Sequence, residues 1–339
     1  VRTLELSGGF SPANLSIVER ERPKPGPGQV LVRVVAVSLN YRDHLFVSGK
    51  YDPRAALPAV PASDCAGIVE ETGKGVSRFR QGDRVINLFM EDWPSGPARR
   101  EFLEGSRGAG GKPGVLSEYV VFDAAALLPV PAQLSLKEAA CLPCAGLTAW
   151  CALFAGGAMK PGATVVIQGT GGVALFALQF ARMAGARTAL LSSSDEKLAQ
   201  VSDLGADVSI NYLREPDWSK SARAALAADG VDLVVELGGE KTLAQSLRAV
   251  RVGGTLAMIG VLSGPVAPLP LPLVVMRQIR LQGVTVGSRT DMEAMLAAIA
   301  THGLRPRIHQ VFPFEAHAAA FDMLGRGGHV GKIVISLGS

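Results

Sequence analysis

The stretch QGTGGVALFALQFARMAGA, Gln168 to Ala186, contains the residues whose types and spacing point most directly to chemistry. Strand-like ATVVIQ leads into it and a helical pattern begins near Val173, the setting that a dinucleotide-binding turn requires. Read as G-x-G-x-x-G/A, Gly169 makes the tight turn and Gly171 leaves bare backbone under a pyrophosphate. Ala174 is then the small residue where helix meets strand. Thr170, Gly172 and Val173 complete the cradle, because the unpaired N–H groups and positive dipole end of the helix attract phosphate oxygens. The alternative, a glycine-rich turn that binds nothing, fits less well at the head of a series of alternating strands and helices. A P-loop is excluded because no GK[ST] follows.

The end of the second strand selects the cofactor. An acid there would hold the ribose 2′-hydroxyl of NAD, whereas hydroxyls and a cation suit the 2′-phosphate of NADP. RTALL ends in Ser192, Ser193 and Ser194, with Lys197 beyond, so NADP(H) is expected in preference to NAD(H). Asp195 runs against this but is well placed to cap the next helix. Tyr212, after the third strand, either covers the adenine or is an ordinary core-edge tyrosine. Gly238 and Gly239 follow the fourth strand. Gly260, Val261 and the residues to Ser263 follow the fifth, where the ribose and nicotinamide should pass.

These residues need a scaffold, and the pattern supplies one in two styles. Residues 1–124 read as short strands broken by turns, with QVLVRVVAVSLN alternating at period two, then AGIVEETG and GDRVINL. From about 162 apolar strands alternate with helices, which predicts a parallel sheet covered on both faces. The chain of 339 residues is long enough for two domains, and 48% of it is hydrophobic. A net charge of +4, with scattered basic residues, excludes a nucleic-acid footprint. The uncharged run Ala139 to Met159 is broken by Pro143 and several glycines, so it reads as buried helices and not as a membrane span. Four cysteines make no disulfide framework, and a reducing cytoplasm is expected. Cys141 and Cys144 form a C-x-x-C pair with no second pair nearby, which favours buried small residues over a redox or metal site.

NYRDHLFVSGKY, PASDCAGIVEETGKGVSRFRQGDRV, CLPCAGLTAW and the closing GHVGKIVIS, together with the nucleotide motif, resemble the medium-chain dehydrogenase/reductase superfamily over nearly the whole chain. Within it the sequence looks most similar to the zinc-independent quinone oxidoreductase-like and alcohol dehydrogenase-like branch. The resemblance implies an α/β fold: a Rossmann dinucleotide-binding domain over 125–287, and a GroES-like β-rich catalytic domain over 1–124 and 288–339. Substrate and nicotinamide would meet between the two domains, and a homodimer would form near LPLVVMRQIRLQGVTV.

Zinc-using members ligate their catalytic metal through a cysteine, a histidine and a second cysteine, with a glutamate after the histidine. Asn40, Ser63 and Asp64 stand at the first-cysteine, histidine and glutamate positions, and only Cys144 is retained. Arg42 replaces the hydroxyl that relays the alcohol proton. The lobe that would carry a structural zinc, residues 91–114, contains no cysteine. No metal is therefore expected, since a zinc site needs three or four Cys, His or carboxylate ligands. Asn40 and Tyr41 become candidate donors to a carbonyl oxygen. Asp43 joins them as a catalytic candidate, or else Asn40 and Asp43 only brace a loop between strands. His44 is a possible proton shuttle. The resemblance also assigns Thr148 and Ser288 to the nicotinamide, with Arg289 near the phosphates or on a hinge.

The expected activity is NADPH-dependent reduction of a quinone, enone or small carbonyl without zinc. The alternatives are an NAD(P)-dependent alcohol dehydrogenase, with or without an atypical metal site including Asp64 and Cys144, and a nucleotide-binding protein without turnover. A small-molecule partner is expected, and neither nucleic acid nor membrane.

Overall fold

The computed structural model describes residues 1–109, 111–156 and 159–338. The chain divides into two compact units, Val1–Leu147 with Val286–Ser339, and Thr148–Thr285. The first division thus falls at residue 147 and not near 124. The cause is a late strand, Leu127–Pro129, that pairs with Arg84–Asn87 and ties the following segment to the β-rich unit.

The first unit opens with an antiparallel pair, β1 (Arg2–Leu6) and β2 (Leu15–Glu19). Then come β3 (Gln29–Leu39), α1 (Tyr41–Val47), β4 (Asp64–Thr72), β5 (Arg84–Asn87), α2 (Arg100–Leu103), β6 (Tyr119–Asp123), β7 (Leu127–Pro129) and α3 (Leu136–Ala139). A single π-helical turn, Leu142–Gly146, runs into α4 (Leu147–Phe154). Within the run from 139 to 159, the residues up to Phe154 form a broken helical segment and residues 157 and 158 lie outside the described ones; no described helix is long and apolar enough to cross a membrane.

The second unit continues with β8 (Thr164–Gln168), α5 (Gly172–Met183), β9 (Arg187–Ser192), α6 (Asp195–Ala199), β10 (Val208–Asn211), α7 (Trp218–Leu226), β11 (Val231–Glu236), α8 (Leu243–Ala249), β12 (Val250–Met258), α9 (Leu271–Met276) and β13 (Arg280–Gly283). Its six strands pair in parallel in the order β10-β9-β8-β11-β12-β13. This order places a topological switch between β8 and β11, where ligands of such sheets bind beyond the carboxyl ends of the strands. β8 is buried along its whole length, as expected of a strand covered on both faces. The stretch LPLVVMRQIRLQGVTV comprises the short helix α9, started by prolines at 270 and 272, and then β13, the sixth strand of this sheet.

The chain then returns to the first unit with α10 (Arg289–His302), β14 (Ile308–Pro313), α11 (His317–Arg326) and β15 (Lys332–Ser336). The larger sheet runs β14-β15-β3-β4-β5-β7, with β6 on the amino half of β3. β15 lies antiparallel to the carboxyl half of β3, with Ile333 opposite Leu39. That register brings Lys332 level with Asn40. β3 is buried nearly throughout, so its ends can fix polar groups inside the unit.

Candidate active site

The glycine turn has the backbone that its sequence requires. Gly169 adopts φ +84°, a left-handed conformation costly for any other residue, and its N–H bonds Leu191 O at 2.7 Å, closing the turn onto β9. Gly171 is the N-cap of α5 with no side-chain cap, and the first bond back into the helix runs from Leu175 N–H to Gly171 O. The N–H groups of Gly172, Val173 and Ala174 therefore have no intrahelical acceptor. A Cβ built on Gly171 meets nothing within 4 Å, whereas Ala174 is fully buried. Bare backbone, open space and free donors at the end of a 12-residue helix fit the pyrophosphate of a dinucleotide.

Behind the turn lies a polar network that the sequence did not disclose. Glu236, at the end of β11, is fully buried, as is Ser246, and Gln168 is 5% exposed. Glu236 accepts from the N–H groups of Gly238 and Gly239, each at 2.9 Å, and from the Thr242 and Ser246 hydroxyls. Gln168 Nε2 donates to Glu236 at 2.7 Å, while its Oε1 accepts from Leu237 and Gly238 N–H. The carboxylate thus gathers the loop after β11. The loop glycines are also packed tightly: a Cβ on Gly238 would lie 2.2 Å from Thr242 Oγ1, and one on Gly260 would lie 2.2 Å from Leu237 O. These two glycines have a packing role in addition to the cofactor role expected of them. Val261, by contrast, is exposed.

At the end of β9 the residues divide their tasks differently from the expectation. Ser194, not Asp195, caps α6, its hydroxyl accepting from Lys197 N–H and donating to Glu196. Asp195 is the first helical residue, and its carboxylate accepts from Asn211 Nδ2 and pairs with Arg214 at 2.7 Å. Ser192 is buried, Ser193 half-buried, and Tyr212 packs on the edge of the second unit's core. Arg214 thus brings a cation to this corner that sequence reading had passed over.

In the first unit, Asn40 is the N-cap of α1, so the N-Y-x-D segment is helix and not loop. Asp43 Oδ2 accepts the Asn40 N–H at 2.8 Å, and Asp43, Phe46 and Val47 turn inward at helical spacing. Asp43 therefore braces the backbone, as one of its two readings proposed. It is fully buried, which pushes its carboxyl up to about 6, and its Oδ1 has no hydrogen-bond partner. Ser63 donates to Asp64 Oδ1 at 2.6 Å, and the Cys144 N–H donates to Asp64 Oδ2 at 2.9 Å. Burial raises the Asp64 carboxyl, against the pull of Lys332, and pushes the Cys144 thiol up to about 12. Lys332, 4% exposed, donates to Asn40 Oδ1 at 2.6 Å and to Leu39 O.

The remaining candidates scatter. Tyr41 is half exposed, with its ring 5.9 Å from that of His44. His44 packs against Gly325, and burial together with Lys50 lowers its pKa. Arg42 lies between the Tyr51 and Phe89 rings and donates to Arg107 O and Ser106 Oγ. Thr148, at the start of the second unit, is buried. Ser288, expected at the nicotinamide, is 1% exposed and forms a reciprocal cap with Asp291 at the start of α10. Arg289 bonds Leu127 O and Glu293 and so fastens α10 within its own unit.

With this geometry in place, the relatives are informative. The chain is 39% identical to a zinc-type alcohol dehydrogenase-like protein of Schizosaccharomyces pombe, over 93% of this chain and 92% of that protein. It belongs to the medium-chain dehydrogenase/reductase superfamily. Two family models agree, an alcohol dehydrogenase GroES-like domain at residues 26–132 and a zinc-binding dehydrogenase at 172–301. A crystallised protein of Sinorhizobium meliloti 1021, described as a candidate alcohol dehydrogenase, superposes with a TM-score of 0.91 at 41% identity, covering 99% of both chains. Rat quinone oxidoreductase is 28% identical over 93% of this chain and 91% of its own. The alcohol dehydrogenase-like relatives thus match more strongly than the quinone reductase, and membership of the zinc-independent quinone branch is not established.

Catalytic zinc, which the family's alcohol dehydrogenases imply, does not fit the donors of this dehydrogenase/reductase. Asp64 has both oxygens engaged, Ser63 donates its proton, and the Asn40 oxygen faces an ammonium. Among the described residues no three His, Cys, Asp or Glu side chains gather as a metal set. The lobe at 91–114 is held by charge: Arg107 bonds Glu91, Pro113 O and Val121 O, and Lys112 bonds Glu91 at 2.8 Å and Asp92 at 3.0 Å.

Proposed function

We propose that this chain interconverts a small alcohol and its carbonyl compound with a nicotinamide cofactor, working chiefly as a carbonyl reductase, and that it does so without catalytic zinc. The observation that carries this reading is the set Asn40, Ser63, Asp64, Cys144 and Lys332, in which the oxygens of Asn40, Ser63 and Asp64 are engaged by hydrogen bonds or an ammonium and the half-buried Cys144 supplies the single thiol. When bound, the cofactor supplies the hydride. The residues of the second unit hold its phosphates on the free N–H groups of α5 and shape the loop after β11 through Glu236. Asn40 Nδ2 and the Tyr41 hydroxyl are the donors that stabilise negative charge on the carbonyl oxygen. Thr148 touches the nicotinamide.

Conjugated enones and quinones are a second substrate class, favoured by the same donor set, because such acceptors need less polarisation than a simple ketone. NADP(H) is the preferred cofactor, since β9 ends in serines and Asp195 is paired with Arg214. The chain pairs with a second copy through the edge strand β13 and the neighbouring apolar surface, where Val266, Leu271, Val275 and Met276 are 77%, 62%, 70% and 78% exposed. None of the four cysteines is in a disulfide, which suits a reducing compartment.

Protein purified without chelator tests the reading directly. The expected result is turnover of small carbonyls or enones with NADPH in preference to NADH, with far less than one metal per chain. A full equivalent of zinc, with activity lost to chelator, would overturn it. In sedimentation, Val275→Asp should convert dimer to monomer.

A further inference from the structure

The metal-free site contains a cation that sequence reading had not connected with it. Lys332 lies 292 residues from Asn40, yet its ammonium bonds Asn40 Oδ1 at 2.6 Å as well as Leu39 O. An ammonium can only donate, so the Asn40 carboxamide must present its oxygen to Lys332. The amide nitrogen is thereby turned to the other side. There Asn40 Nδ2 is buried and finds no acceptor. The Asp64 carboxyl lies beside it and feels the Asn40 side chain, but no contact between the two has hydrogen-bond geometry, and Ser63 and the Cys144 N–H are the donors that do bond its oxygens. A donor held rigid, desolvated and unpaired is prepared for an acceptor atom that arrives with a ligand.

We infer that Lys332 is a positioning residue, which locks the Asn40 amide so that Nδ2 is offered to the substrate's carbonyl oxygen. The inference rests on the reading of Asn40 as that donor. Lys332 also balances charge, since Asp43 and Asp64 are both fully buried and both feel its ammonium. Chain register makes the arrangement stiff: β15 fixes Lys332 against the end of β3, which leads directly into the Asn40 cap.

The test is a double-mutant cycle on the dimensions kcat and KM, using Lys332→Met, Asn40→Ala, the double variant and Lys332→Arg, with NADPH and a panel of small carbonyls. Lys332→Met is expected to lower kcat about 10- to 100-fold, the range for removing a group that orients a reacting one, and to leave KM for NADPH unchanged. Lys332→Arg, still a donor, should restore much of the rate. In the Asn40→Ala background Lys332→Met should cost almost nothing further. Full additivity of the two losses would overturn the inference, because a merely structural lysine would act equally in both backgrounds. Asn40→Ala with the parental kcat would instead sink the reading of Asn40 as donor. Should Lys332→Met fail to fold, the Asn40 side-chain 15N signal in the unaltered protein and in Lys332→Arg decides. Binding of isobutyramide, a carbonyl mimic, in the presence of NADPH should shift that signal in both, and no shift in the unaltered protein would refute the proposal.

Discussion

Replacing Glu236 by glutamine changes one oxygen to an NH2 group and tests the network behind the glycine turn. The carboxylate serves five donors: two backbone N–H groups, the Gln168 amide and two hydroxyls. A glutamine has one oxygen, so its NH2 must face either the N–H pair of Gly238 and Gly239 or the NH2 of Gln168. Gln168 cannot turn over to help without abandoning Leu237 and Gly238. At least one donor then meets another donor in a fully buried place, which costs about 1–3 kcal/mol, and the surviving bonds lose their charge assistance. The sum is about 3–5 kcal/mol of folding stability. Urea unfolding of Glu236→Gln beside the parent should show that loss, with faster amide exchange at Gly238 and Gly239 and weaker binding of NADPH. A loss under about 1 kcal/mol, the range of an ordinary surface change, together with unaltered exchange would refute the account of the network.

Gly171→Val should cost only about 1 kcal/mol of stability as a poorer N-cap, since its Cβ enters open space, but weaken nicotinamide nucleotide binding by at least about tenfold, about 1.4 kcal/mol, in a fluorescence titration. Asp43 holds its proton more firmly folded than unfolded, up to about 6 against 3.8, so its contribution to stability falls as pH rises through that window, by up to about 3 kcal/mol. Asp43→Asn should flatten this part of the stability profile between about pH 4 and 6, and an unchanged slope would count against the burial of a charge. Glu91→Ala leaves Arg107 and Lys112 without their buried partner and should cost about 3–5 kcal/mol in thermal or denaturant unfolding.

The nucleotide-binding unit was largely legible in the sequence because its signals are local. Parallel strands such as Thr164–Gln168 are continuous apolar runs ended by glycine, and the helices between them have clear length and period. The candidate donors were legible only as residue types. α1 has seven residues and a polar start, so NYRDHLFV resembled a loop until Phe46 and Val47 were seen packed into the core. Ser194 and Ser288 were read as ligand contacts because a capping serine and a binding serine look alike in one dimension. Lys332 and Glu236 escaped notice for a different reason. Each stands beside an ordinary strand sequence, and its partners come from strand register or from side chains distant in the chain.

The lobe at 91–114 has a consequence for how this protein withstands its surroundings. Where thiolates clasp an ion, peroxide or EDTA can undo the clasp, and a scarce nutrient is needed to make it. Here the fastening is a guanidinium and an ammonium on one sunken carboxylate, synthesised with the polypeptide itself. Such a fastening is indifferent to oxidants and sequestering agents.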